Sequence, residues 1–286
     1  MRLVTVRTDR GPRACGVRGG RYVDLCDADP GLPATVRGLL AEGAEGLRRA
    51  GAAVASGTTT YDPATVEHLA PVPDPAKIVC LGMNYRDHAA EVGAEPPAEP
   101  ILFSKYATAL IGHGASIVLP RCSDVVDYEA ELVVVIGRGG KDIPEARAYD
   151  HVGGYAAGHD VSARDWQLRK PGRQWMAGKT FDTFAPVGPW LVTADEVPDP
   201  HALGIRLRLN GETMQDSKTS QLIFRVDAVV AHLSRLFTLE PGDLIFTGTP
   251  PGVGMARKPP VWLRPGDAVE VEIDGLGTLR NPVVGP

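Results

Sequence analysis

Three carboxylates, Asp127, Glu129 and Glu131, stand at alternate positions at the head of the apolar run Leu132-Val133-Val134-Val135-Ile136. β-Branched residues dominate that run and Gly137-Arg138-Gly139-Gly140 ends it, so it reads as a buried strand. Side chains two apart on a strand share a face, at roughly 7 Å between Cα atoms. The spacing would therefore gather the three carboxylates, and like charges beside apolar neighbours need a positive partner. A hard divalent cation with oxygen ligands meets that need. The competing reading is an edge strand with its carboxylates in water, which the apolar residues just downstream oppose.

Other segments offer groups that could join such a site. Gly154 to Asp160 reads as a strand, after a helix expected over 144–152, and Asp160 joins the Glu129–Glu131 pair as a third carboxylate for a hard ion. His159 points to the opposite face, so only one of the two joins; His159 is expected to bond neighbouring backbone instead. His88 and Glu91 are three apart, so on a helical turn they share a face and can pair. Such a pair orients the imidazole and raises its basicity, although a solvated surface pair has the same spacing. Flanking prolines and glycines suit a segment that orders over a ligand. Lys179, beside Gly178, could neutralise the carboxylates or stabilise an oxyanion, or form a plain surface salt bridge. The loop Thr247-Gly248-Thr249-Pro250 can approach a ligand with amides and the Thr249 hydroxyl, or be a simple turn. It lacks the Gly-Lys-Ser/Thr ending of a phosphate loop.

These groups need strands and turns to hold them, and the composition supplies both. The chain has 286 residues, 43% hydrophobic and 23% charged, with 33 glycines and 25 prolines, which suits a turn-rich, strand-rich globular protein. A formal net charge of -5 offers no basic field for nucleic acid. No apolar run is long enough for a membrane, and Met1-Arg2-Leu3-Val4-Thr5 reads as a strand rather than a signal peptide, so a cytoplasmic location is expected. Cys15, Cys26, Cys80 and Cys122 are widely spaced and suggest reduced thiols, with Cys80 in the core. Short strands over 2–7 and 21–25 and a helix over 35–54 make a small leading α+β unit. Pro71-Val72-Pro73-Asp74-Pro75 reads as a linker, dividing the chain into 1–72 and 73–286. A further helix is expected over 223–237, capped by Ser220 or Thr219.

The order Leu81-Gly82-Met83-Asn84-Tyr85, His88, Glu91, then Asp127-Tyr128-Glu129-Ala130-Glu131-Leu132, then Asp160-Val161-Ser162-Ala163-Arg164-Asp165 resembles the fumarylacetoacetate hydrolase family. Gly178-Lys179-Thr180-Phe181-Asp182, Asn210-Gly211-Glu212 and Thr247-Gly248-Thr249-Pro250 continue the likeness over about residues 75 to 283. The longer bacterial members, of the acylpyruvase and 2-hydroxyhepta-2,4-diene-1,7-dioate isomerase type, carry a leading part like this one. The resemblance implies a mainly β fold with some α, a mixed β-roll catalytic domain after a small α+β domain, and a homodimer. It implies Mg²⁺ or Mn²⁺ held by Glu129, Glu131 and Asp160. His88 and Glu91 match an acid–base dyad on a lid, Lys179 an active-site lysine, and Thr249 a substrate-contacting threonine. Arg86, Tyr106 and Gln174 fall where side chains could meet a substrate carboxylate; Tyr106 stands where many relatives have proline. The implied chemistry passes through an enolate of a small 2-oxo acid. Having both His88 and Glu91 favours hydrolysis of a C–C bond in a 2,4-dioxo acid such as an acylpyruvate. Isomerisation, tautomerisation or decarboxylation of a 2-oxo diacid is the alternative, and a non-catalytic oxo-acid-binding paralogue a third reading.

Overall fold

The computed structural model describes all 286 residues. Its centre is the strand Ala130–Ile136, every residue of which is buried. One face of it packs Leu132, Val134 and Ile136 into a large core shared with Ile205, Val271, Leu279 and Val230. The other face packs Val133 and Val135 into a second core with Cys80, Phe246, Leu3, Leu39 and Leu40. Burial on both faces explains the continuous apolar run where a half-exposed strand would alternate.

That strand pairs antiparallel with Val152–His159 on one side and with Leu244–Phe246 on the other. Beyond Leu244–Phe246 lie Ile78–Gly82, in parallel, and then Ile101–Ser104 at the sheet edge. Beyond Val152–His159 come Ala185–Thr193, Arg2–Thr8, Gly11–Arg18, Arg21–Asp24 and Thr60–Tyr61. The leading residues therefore continue the main sheet: Arg2 and Leu3 pair with Val192 and Leu191. A second, five-stranded sheet runs in the order Glu212–Lys218, Gly204–Leu209, Ala268–Ile273, Gly277–Val284 and Ile117–Val118. The fold is mainly β with some α, a mixed roll with the larger core between its layers.

Three helices depart from expectation for local reasons. The stretch 35–54 divides into Val36–Ala41 and Gly43–Ser56, because Gly43 takes a φ of 62° and turns the chain. The segment Glu145–His151 is a 3₁₀ helix burying only Ala148, too little apolar contact to stabilise a regular α-helix. The helix expected over 223–237 starts at Val226, with Arg225 as N-cap and no side-chain cap bond. Thr219 instead bonds Leu203, and the Ile223 and Phe224 amides donate to Asn84. No helix is long and apolar enough to cross a membrane.

Candidate active site

Backbone pairing brings the acidic residues together. Ala130 faces His159 across the antiparallel ladder, and the Asp160 amide donates to the Glu129 carbonyl at 2.9 Å. Oxygens of Glu129, Glu131 and Asp160, all buried, lie within 4.8 Å of one another. Asp127 does not join them, contrary to simple alternation. The strand breaks after Val126–Asp127, which pairs with Ser162–Ala163. Asp127 accepts instead from the Gly254 amide at 2.6 Å, the Met255 amide at 3.0 Å and Arg164 Nε at 2.8 Å.

Three cations surround the cluster. Lys179 Nζ sits 2.6 Å from Glu129 Oε2 and 2.7 Å from Asp160 Oδ2. It is buried, so the surface salt bridge is excluded. Lys105 Nζ lies 2.6 Å from Asp160 Oδ1 and donates to the carbonyls of Phe184 at 2.8 Å, Val161 at 3.2 Å and Lys179. Arg164 Nη2 reaches Glu129 Oε1 at 2.7 Å, and its Nη1 reaches Gln167 Oε1 at 2.9 Å. Burial pushes the Glu129 carboxyl up, but Lys179 and Arg164 outweigh it and hold it far below the usual range. Burial lowers Lys179 while Asp160 and Glu129 raise it, leaving a firm ammonium.

Glu131 is the exception. Its partner is the Gly248 amide, at 2.7 Å from Oε2. Burial, then Asp160 and Glu129, push its carboxyl well above the usual carboxylate range. A group so starved of positive charge beside two other carboxylates fits a divalent cation with oxygen ligands.

Over this cluster stands the helix Arg86–Glu91. His88 Nδ1 is 2.9 Å from Glu91 Oε2, and Glu91 Oε1 accepts from the Gly252 amide at 2.8 Å. Burial raises the Glu91 carboxyl, but His88 and that amide bring it below its ordinary value. The hinge is fixed by Asn84, whose Nδ2 donates to the carbonyls of Thr247 at 2.7 Å and Phe224 at 3.1 Å. Between helix and carboxylates lies a cavity of about 150 Å³. Its polar lining is His88, Glu129, Glu131, Arg164, Gln167, Lys179 and Thr249; Leu81, Met83, Phe103, Trp175 and Met255 are among the apolar remainder. The Thr249 hydroxyl accepts from Gln215 Nε2 at 2.9 Å, and Gln215 Oε1 takes the Ala130 amide.

Three expected substrate contacts lie outside this cavity. Arg86 is two residues before His88, hence on the other side of the helix, and its Nη1 donates to the Leu222 carbonyl at 2.8 Å. Tyr106 is 58% exposed, because its neighbour Lys105 is the residue that turns inward. Gln174 is exposed ahead of the helix Trp175–Lys179 and lines an outer cleft. His159 does not bond backbone either: both ring nitrogens are buried without a hydrogen-bond partner. Burial and then Lys105 push its pKa down to about 3, so the ring is neutral. Lys105, Gln167 and Gln215 carry no signal of a role in the sequence, and Trp175 none beyond its place before Lys179; Arg164 carries one, its place in Asp160-Val161-Ser162-Ala163-Arg164-Asp165.

The chain is similar to known proteins along nearly its whole length. The family described as fumarylacetoacetate (FAA) hydrolase C-terminal matches residues 77–284. A mitochondrial oxaloacetate tautomerase of Xenopus laevis is 49% identical over 288 residues, covering 99% of this chain and 90% of that protein. The fumarylacetoacetate hydrolase of Exiguobacterium antarcticum superposes with a TM-score of 0.87 at 33% identity, covering all of both chains. Maleylpyruvate hydrolase from Sphingobium sp. SYK-6, in complex with manganese(II) and pyruvate, superposes with a TM-score of 0.81 at 33% identity, covering 100% of this chain and 99% of that one. The chain is an enzyme of the fumarylacetoacetate hydrolase family.

Proposed function

We propose that this enzyme interconverts the keto and enol forms of a short 2-oxo diacid of the oxaloacetate class, with Mg²⁺ or Mn²⁺. The observation that carries the reading is the cavity: about 150 Å³, well under the roughly 300 Å³ at which ordinary small-molecule pockets begin. Relatives named for oxaloacetate tautomerisation, alike along nearly the whole chain, support it. Together they move the weight from C–C hydrolysis, the first expectation, to its alternative.

Glu129, Glu131 and Asp160 would hold the metal, which when bound polarises the 2-oxo group and neutralises charge developing on its oxygen. Arg164, Gln167 and Thr249 offer polar contacts to the diacid. With Nδ1 donating to Glu91, His88 keeps Nε2 as its basic nitrogen. Nε2 takes a proton from C3 and Glu91 steadies the imidazolium. Return of a proton to the C2 oxygen completes the enol, with no net gain or loss of atoms. Lys179 adds positive charge beside the developing oxyanion. The lid tied down at Asn84 and Gly252 keeps bulk water from the reacting carbon.

The His88–Glu91 pair also supports a second reading, in which His88 deprotonates water for attack on the distal carbonyl of an acylpyruvate. Proton NMR in D₂O separates the two. Deuterium entering C3 of oxaloacetate above the enzyme-free rate, without pyruvate formation, supports tautomerisation. Pyruvate from acetylpyruvate supports hydrolysis, and pyruvate from oxaloacetate supports decarboxylation. A homodimer belongs to the same proposal, on the family resemblance.

A further inference from the structure

The reaction cavity and a neighbouring cleft share two aromatic walls. Trp175 and Phe103 line that cavity, and both also line a separate apolar cleft of about 560 Å³ outside it. Val79, Ile101, Met176 and Phe237 bound the outer cleft. The two rings meet edge to face, with centroids 5.9 Å apart and planes at 62°. Phe103 in turn lies 5.1 Å from Lys179 Nζ. The indole rests on Gly82, where a Cβ would come within 2.0 Å of a ring carbon. Gly82 does not have a positive φ, so its backbone would accept other residues. Glycine is needed there to seat the ring.

We infer that Trp175 is a specificity-determining partition, confining the substrate to a short 2-oxo acid by separating the reaction cavity from a cleft that could take an apolar tail. The inference rests on the reading of the site given above. A 2-oxo acid anchored at the carboxylates lies near these rings, since Phe103 stands 5.1 Å from Lys179 Nζ, so a bulky substituent turned toward the outer cleft meets the indole. Simple core packing would make Trp175 matter for stability and leave ligand preference alone.

The test is calorimetric titration of the Mn²⁺-loaded full-length protein with oxalate, which carries no substituent, and with phenylpyruvate, which carries an apolar ring. Trp175→Ala should raise the phenylpyruvate-to-oxalate affinity ratio about tenfold or more, the scale of a hydrophobic pocket's discrimination. Trp175→Phe, which keeps an aromatic ring, should raise it by a smaller factor and decides the matter if the alanine variant does not fold. An unchanged ratio in the folded variants, with oxalate still bound, overturns the partition. Failure of wild-type protein to bind oxalate in a Mn²⁺-dependent way contradicts the site reading itself, and the partition falls with it.

Discussion

At the scale of single residues, the site is a balance of buried charge. Glu129 and Asp160 are neutralised by Lys179, Arg164 and Lys105, whereas Glu131 is left to a backbone amide. Lys105 is the least conspicuous member in sequence and among the most deeply tied in space. Substituting methionine would leave Asp160 Oδ1 without its cation and three carbonyls without their donor. Lys105→Met should therefore destabilise the metal-free fold by about 3–5 kcal/mol, as removal of one partner from a buried ion pair does. Denaturant unfolding measures it, and a loss well under about 1 kcal/mol would mean that water reaches those groups. Alternation and the family pattern made Glu129, Glu131 and Asp160 legible as a cluster. They also misplaced Asp127, because a strand break at Tyr128 cannot be read from apolar spacing. Lys105 gave no signal, since its partners come from chain segments more than 50 residues away.

At the scale of elements, the short lid helix owes its place to ties made outside itself. Asn84 holds its hinge, and Glu91 joins it to both His88 and the Gly252 amide. The folded-state pKa of Glu91 lies below its ordinary 4.5, so its tether is fully present above that value and is lost as pH falls through the lower, folded one. Amide exchange at Gly252, corrected for intrinsic rate, should show steady protection above pH 4.5 and loss of it further into acid. Protection that persists after the carboxyl has titrated would show that Glu91 is not the tether. The pairing of His88 with Glu91 could be anticipated from their spacing. The start of the helix Val226–Leu236 could not, because Asn84 claims the amides just before it. Tertiary partners overrode the local capping pattern there.

At the scale of the molecule, the leading segment is legible as strands and helices but not as a part of the main sheet. Its first strand pairs with Ala185–Thr193, and Leu3, Leu39 and Leu40 share a core with Val133 and Val135. A chain beginning at residue 73 should therefore lose cooperative thermal unfolding and associate through the bared sheet edge. A monodisperse fragment with a sharp transition would contradict that. Metal-dependent tautomerisation at the His88-capped carboxylate cluster is read directly from the decay of enol-oxaloacetate absorbance in weak buffer, followed with Mn²⁺ for wild type and for His88→Ala. The wild-type protein should accelerate decay beyond Mn²⁺ alone, an acceleration abolished by chelator and reduced by about 10²–10⁴-fold in His88→Ala. Decay no faster than Mn²⁺ alone, or an undiminished rate in His88→Ala, would contradict that reading.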